Sequence, residues 1–124
     1  MRSLALFLCL IAGVYLWAAE AAPPPSLYHA ELVSAIQQRH RITFVYGDER
    51  LDAEPHAYGL SKQEQPLLRA YVSAPSVAGS GEPAWLLFRV DRMSELTTQE
   101  QAFAAARPGY RRGDKAMSVI FAEY

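Results

Sequence analysis

Apolar positions near residue 30 recur with the spacing of a helix. Tyr28, Leu32 and Ile36 are four residues apart, and an α-helix brings such positions onto one face. Ser26 precedes them and is a residue type that caps helix N-termini. The pattern predicts a short helix that begins with a Ser26 cap, ends near residues 39–40 and packs its apolar stripe on the rest of the domain.

The period of the pattern changes to two at residue 41, which indicates strands. Ile42, Phe44 and Tyr46 alternate with other positions, and the Gly-Asp-Glu sequence of residues 47–49 is a turn signal. A second strand over residues 50–55, which stays extended to residue 60, completes a predicted hairpin.

The most apolar run after the N-terminal segment is Trp85–Met93, which predicts a strand because of its length and its aromatic and β-branched residues. Residues 67–73 alternate in the same way, and a loop rich in Gly, Ser and Pro over residues 74–83 joins the two strands. Phe88 is expected to point into the core. If the strands pair antiparallel, the opposite face carries Arg69, Tyr71, Trp85, Leu87 and Arg89.

The last third of the chain has a weaker pattern. Thr97 or Thr98 is expected to cap a short helix that runs through Phe103. Residues 116–121 form either a closing strand, which we favour, or a short helix. Together the elements predict an α+β, mainly β domain, most simply a small twisted antiparallel barrel with the leading helix packed on it.

The length and composition of the chain are typical of one small globular domain with an additional apolar segment. The chain has 124 residues, of which 51% are hydrophobic and 20% charged. Its formal net charge of -1 gives no general attraction to nucleic acid or to an anionic membrane, so any anion site must be local. The single cysteine, Cys9, lies in the apolar segment, so the domain itself contains neither a disulfide nor a reactive thiol.

Residues 1–22 have the layout of a secretory signal peptide, with a cationic start, an apolar run over residues 4–19 and small residues at a cleavage site. The alternatives are a membrane anchor formed by residues 4–19, or a mistaken start site and a cytoplasmic protein. Residues 23–27 then form a Pro-rich linker, and residues 28–124 form the domain. We expect an exported protein, periplasmic or secreted, that contacts a membrane only through its N-terminal segment.

Three stretches, in this order, resemble the WYL-domain family. They are residues 54–59 (Glu-Pro-His-Ala-Tyr-Gly), residues 68–71 (Leu-Arg-Ala-Tyr) and residues 87–93 (Leu-Phe-Arg-Val-Asp-Arg-Met), with Arg50 ahead of the first. The third stretch is the most specific of them, and the resemblance extends over residues 31–103. The Trp-Tyr-Leu triplet of the family is absent, and Pro-Leu-Leu at residues 66–68 stands nearest to its place.

The resemblance implies an SH3-like or Sm-like β-barrel that acts as a ligand-sensing module, in bacterial regulators usually attached to a DNA-binding helix-turn-helix. Its ligands would be small anionic or nucleotide-like molecules, or short single-stranded nucleic acid, held by arginines and aromatic side chains. Because a signal-like segment stands in place of the helix-turn-helix, nucleic acid is expected only if the protein is cytoplasmic.

The candidate ligand-binding residues are the cations and aromatic side chains of the predicted face and of the motifs beside it: Arg69, Arg89, Tyr71, Trp85, Arg92, His56, Tyr58 and Arg50. Guanidinium groups bind phosphate or carboxylate bidentately, and aromatic rings stack on planar groups. Two neighbouring arginines require a counter-charge, so the alternative for Arg69 and Arg89 is that each pairs with an Asp or Glu of the fold.

Other charged residues also have two interpretations. Arg50 fits a salt bridge to Asp48 or Asp52 better than a ligand contact, although the family pattern keeps it a candidate. The locally basic residues 107–115 are either a solvated tail or a supplementary anion contact.

Asp91 and Arg92 are expected to form a structural pair at a strand end rather than a catalytic acid and base. His56, beside Tyr58, either lines the ligand groove or has a surface or half-buried packing role, which we favour.

The sequence predicts neither a metal site, nor a cofactor, nor enzymatic activity. His29, His40 and His56 lack metal-ligand spacing, and no nucleophile stands in a catalytic motif. The first hypothesis is a WYL-type binding module that takes a small anionic or nucleotide-like ligand on its Arg/aromatic face. The alternative is a cell-envelope domain that binds another protein through a patch containing Trp85 and Tyr71.

Overall fold

The computed structural model describes residues 24–72 and 84–124. They form α1 (His29–Gln38), β1 (His40–Tyr46), β2 (Glu49–Leu60), β3 (Pro66–Val72), β4 (Ala84–Arg89), β5 (Met93–Ala102) and β6 (Val119–Glu123). A single 3₁₀ turn, Val90–Arg92, joins β4 to β5. The signal or anchor interpretation of residues 1–22 and the loop predicted over residues 74–83 concern parts of the chain outside these ranges.

The predicted helix is confirmed as α1, but Ser26 is not its cap. Tyr28 takes the cap position without a side-chain cap bond, while the Ser26 hydroxyl lies 2.7 Å from the Tyr58 hydroxyl. Arg39 ends the helix in the left-handed conformation, with φ of 60°. α1 buries Leu32 and Ile36 of the predicted stripe, together with Ala35.

The predicted hairpin is confirmed as β1 and β2. Ile42 pairs with Ala53, and Phe44 pairs with Leu51. All four side chains are buried, as the two-residue period predicts for one face of each strand. The turn contains Gly47 with φ of 63°, a conformation that glycine adopts without steric cost.

The sheet is organised around β2, because three strands pair with it. Residues 49–53 pair with β1, residues 53–60 with β3 and residues 57–60 with β6. A register shift between Pro55 and Ala57 marks an irregularity where proline has no N–H to offer the ladder.

The strand order is β4-β3-β2-β1-β5, with β6 beside β2. The α+β, mainly β class is therefore confirmed. Over the described residues the sheet is not closed, because β4 and β5 do not pair with each other.

The predicted long strand over Trp85–Met93 is wrong in its second half. β4 ends at Arg89, and the 3₁₀ turn redirects the chain into β5. The predicted antiparallel pairing of β3 with β4 is confirmed, with Tyr71 opposite Trp85 and Leu68 opposite Phe88.

The helix predicted from Thr97 or Thr98 to Phe103 is also wrong. Both threonines lie in β5, where Thr97 pairs with Thr43 and Thr98 with Ile42 of β1. β-Branched residues lose side-chain freedom in a helix and fit a pleated sheet, so strand pairing outweighs their value as caps here.

The final run is a strand, β6, which pairs with β2 as the favoured alternative predicted. The main core lies between α1 and one face of the sheet, and its largest members include Leu32, Phe44, Leu68 and Phe88. A smaller cluster joins Ala57, Leu67 and Met117. Within the described ranges, no helix has both the length and the apolar character needed to cross a membrane.

Candidate ligand-binding site

Arg69 and Arg89 lie on one face of the β3–β4 pair, as predicted, but each has a carboxylate partner. Arg69 donates to Asp114 through Nε at 2.7 Å and Nη2 at 3.2 Å. Arg89 donates to Asp91 through Nη2 at 2.7 Å and Nε at 3.2 Å. A ligand held between the two arginines would have to replace two bidentate carboxylates, so the structure favours the ion-pair interpretation of this pair.

Trp85 is the aromatic centre of this face. Its indole N–H donates to the Pro108 carbonyl at 3.0 Å. Its ring meets Tyr71 edge-on with centroids 5.4 Å apart, and it lies nearly parallel to Tyr110 with centroids 5.9 Å apart. The segment after β5 therefore packs directly on the face that the sequence identified.

A pocket of about 400 Å³ opens between this face and that segment. Its lining consists of Arg69, Trp85, Gly109, Tyr110, Arg111, Arg112, Gly113, Asp114 and Lys115. Its volume lies in the range of small-molecule sites. Two of the predicted ligand residues, Arg69 and Trp85, thus line the pocket together with the basic segment that was expected to be either a tail or an anion contact.

The pocket carries more positive than negative charge. Of its four cations, Arg69 is paired with Asp114, and Arg112 is paired with Glu123 at 3.0 Å. Arg111 and Lys115 are exposed and have no carboxylate partner within residues 24–72 and 84–124. They are the cations that remain available to an anion.

Hydrogen bonds keep two carboxylates ionised, Asp114 in the pocket lining and Glu123, the partner of Arg112. The bonds from the Arg69 guanidinium hold the pKa of Asp114 below its ordinary value. The backbone N–H of Gly113, 3.0 Å from the carboxylate, lowers the pKa of Glu123, and Arg112 contributes to the same effect. Burial raises the pKa of the Tyr110 phenol, which therefore stays neutral.

Gly109 lets the loop approach the tryptophan. Its φ is 91°, and an added Cβ would lie 3.3 Å from the Trp85 indole nitrogen. A larger residue would push this wall of the pocket away from the ring.

The sequence reasoning missed a cluster of ion pairs around a buried carboxylate, whose members lie outside the pocket lining. Glu54, only 1% exposed, accepts from Arg107 Nε at 2.6 Å and from Arg107 Nη2 at 2.9 Å. Arg41 Nη2 lies 2.9 Å from the same carboxylate. A second cavity, about 450 Å³, lies beside the cluster and is lined by both arginines and residues 102–108.

A signal for this cluster was present in the sequence. Glu54 stands among small and apolar residues of an extended run, and a carboxylate buried there needs a cation. Arg107, one of the two arginines that supply it, lies 53 positions away, and periodicity carries no information about a contact over that separation.

His56 is fully buried, so it neither lines the pocket nor lies at the surface or half-buried as the packing alternative predicted. Its Nδ1 faces the Glu54 carbonyl at 2.8 Å, and its Nε2 accepts from the Arg107 backbone N–H at 3.2 Å. The ring is therefore neutral with the proton on Nδ1, and burial lowers its pKa below 6.5. Aromatic rings surround it: Trp85, Phe103, Tyr110 and Tyr124.

Tyr58 lies away from the pocket. It is fully buried, and its hydroxyl bonds to Ser26 at 2.7 Å and to His29 Nδ1 at 3.0 Å. Burial raises the pKa of the phenol. Tyr58 therefore attaches β2 to the start of α1.

Arg50 and Arg92 also lie outside the pocket lining. Arg50 forms a salt bridge with Glu95 at 3.3 Å. The predicted partner, Asp48 or Asp52, is therefore wrong. The predicted pair of Asp91 with Arg92 is wrong as well, because Asp91 binds Arg89.

Among the described residues, no three His, Cys, Asp or Glu side chains are grouped so that they could hold a metal ion. Comparisons of the chain with models of protein families, with curated proteins and with solved structures found no match.

Proposed function

We propose that the protein is a WYL-type binding module whose pocket takes a small anionic ligand with a planar, nucleotide-like group. The observation that carries the proposal is the position of Arg111 and Lys115, which have no carboxylate partner among the described residues, beside the Trp85 ring in a pocket of about 400 Å³. The cations would bind the anionic group, and the planar group would stack on the half-buried Trp85 ring.

The proposed site differs from the face deduced from the sequence. Arg69 and Trp85 remain in it, and Tyr71 supports Trp85 edge-on. Arg89 is excluded because it does not line the pocket and pairs with Asp91 away from it. We propose binding without catalysis.

The strand arrangement is compatible with the SH3-like or Sm-like barrel that the family resemblance implies. A leading helix, a central β2 with neighbours on both edges, and a 3₁₀ turn between β4 and β5 support that proposal. We further propose that residues 1–22 direct export, so that the ligand is met outside the cytoplasm. Single-stranded nucleic acid would be a ligand only of a cytoplasmic form.

Calorimetric titration of the full chain with adenosine 5′-monophosphate (AMP) and with adenosine tests the proposal. AMP should bind measurably more tightly than adenosine, because only AMP carries the anionic group. The double variant Arg111→Gln/Lys115→Gln should lose most of this preference.

The double variant Arg50→Gln/Arg92→Gln is the matched control. It removes the same number of positive charges as the test variant. The two arginines were candidates from the sequence, but they do not line the pocket. Loss of AMP binding in the control but not in the test variant would return the site to the original face, and equal binding of AMP and adenosine would reject an anion site.

The second candidate function is protein binding within the cell envelope. Leu86 and Leu87 are 36% and 40% exposed on β4, and within residues 24–72 and 84–124 this strand pairs with β3 alone. An extended segment of a partner would add to its open edge. Retention of a partner by the wild-type protein, and its loss in Leu87→Lys, would favour this function.

A further inference from the structure

The wall of the pocket belongs to a segment without regular structure. We name residues 103–118, between β5 and β6, the β5–β6 loop, and its residues 109–115 line the pocket. Because the loop contains turns but neither helix nor strand, its position depends on the contacts that attach it to the sheet. The shape of the pocket depends on the same contacts.

One of these attachments ends on the buried carboxylate of Glu54. The Arg107 guanidinium donates two hydrogen bonds to Glu54 of β2, at 2.6 and 2.9 Å, and its backbone N–H donates to His56 at 3.2 Å. The next residue, Pro108, accepts the Trp85 indole N–H. Tyr110 then donates its hydroxyl to the His56 carbonyl at 3.2 Å.

These contacts connect Glu54 to the pocket over a few residues of chain. Glu54 does not line the pocket, yet it binds the residue two positions before Gly109, where the lining begins. This charge-assisted, bidentate bond joins a guanidinium that is 36% exposed to a carboxylate that is 1% exposed, so it constrains both partners more than a fully exposed ion pair does.

We infer that Glu54 is the positioning residue of the proposed pocket: through Arg107 it holds the β5–β6 loop against Trp85 and so sets the ligand affinity without contacting the ligand. The predicted change in AMP affinity rests on the proposed function. The predicted change in the position of the β5–β6 loop does not depend on any ligand.

Electrostatics alone predicts the opposite effect on affinity. Glu54→Gln removes a negative charge near the pocket, and this favours an anionic ligand if the loop stays in place. If Glu54 positions the loop, the same substitution releases the wall and weakens binding. The sign of the change therefore separates the two roles.

The experiment combines AMP titration of the full chain with limited trypsin digestion, which reports access to Arg111 and Arg112. In Glu54→Gln, AMP affinity should fall roughly tenfold and cleavage at the two arginines should become roughly tenfold faster. Arg41→Gln is the matched control, because it removes a cation from the same carboxylate but belongs to β1. Its cleavage rate and affinity should stay within about threefold of the wild-type values.

Arg107→Lys serves as a second variant in case Glu54→Gln fails to fold. It keeps the charge and loses the bidentate fork, so cleavage should accelerate and affinity should fall by a smaller factor. Unchanged or tighter AMP binding in Glu54→Gln, with the loop still protected, would overturn the inference. If the wild type does not bind AMP, the proposed function fails, and the cleavage comparison alone decides whether Glu54 positions the loop.

Discussion

Gly59→Ala tests the attachment of β6 to β2. β6 contains Glu123, which pairs with Arg112 of the pocket lining. Gly59 lies in β2 opposite Ile120 of β6. A Cβ at this position would overlap the Val119 carbonyl oxygen and would lie 3.0 Å from Ile120 Cα and 3.1 Å from Met117 Sδ. The first two are backbone atoms, so the clash cannot be relieved by turning a side chain.

The expected cost follows from the bonds that hold β6. If the strand moves away, it loses its ladder with β2 as well as the bonds from Ser118 N–H to the Leu60 carbonyl and from Tyr124 N–H to the His56 carbonyl, each 2.8 Å long. Net contributions of about 1 kcal/mol for each of several hydrogen bonds give a loss of about 3–5 kcal/mol in the free energy of unfolding.

Urea denaturation followed by circular dichroism measures this loss, with Gly47→Ala as the control. Gly47 has φ of 63° and no atom within 4 Å of an added Cβ, so its substitution should cost only about 1–2 kcal/mol of backbone strain. A Gly59→Ala protein as stable as Gly47→Ala would refute the close approach of β6 to β2.

Two further predictions concern the buried cluster. Glu54→Gln should lower the free energy of unfolding by about 2–4 kcal/mol, because it removes the charge of a buried carboxylate that binds two arginines. The control Glu95→Gln removes an exposed ion pair and should change the free energy of unfolding by less than about 0.5 kcal/mol, as measured by thermal or urea unfolding. Because burial holds the pKa of His56 below 6.5 in the fold, the unfolded chain takes up its proton first as the pH falls, so stability should decrease below about pH 6.5 with a slope of up to about 1.4 kcal/mol per pH unit. Urea titrations between pH 5 and 8 should show that the free energy of unfolding falls less steeply with decreasing pH in His56→Gln than in the wild type. An identical slope in both proteins would contradict a neutral buried ring.

The elements with strong local patterns were predictable from the sequence. Helix α1, the β1–β2 hairpin and the β3–β4 pair each repeat apolar residues at the period of the structure they form. The break after Arg89 was not predictable in this way, because a 3₁₀ turn keeps Val90 buried and leaves the apolar pattern unchanged. β5 was missed because its polar, mostly exposed residues carry no strand alternation.

The candidate site was predictable only in part, for a similar reason. Arg69 and Trp85 share a face because strand alternation and antiparallel pairing require it. The partners Asp114 and Pro108 come from the β5–β6 loop, and the position of an irregular segment is determined by distant contacts rather than by a repeat. The same holds for the bond of Glu54 to Arg107, which lies in that loop.

The central claim is that an anion with a planar group binds beside Trp85, and the indole N–H resonance of Trp85 tests it most directly. In ¹H–¹⁵N spectra of the full chain, this resonance is identified by its absence in Trp85→Phe. It should shift saturably with AMP, shift little with adenosine, and stay in place with AMP in Arg111→Gln/Lys115→Gln. An indole resonance that AMP leaves unmoved in the wild type, or moves equally in the double variant, would contradict the account.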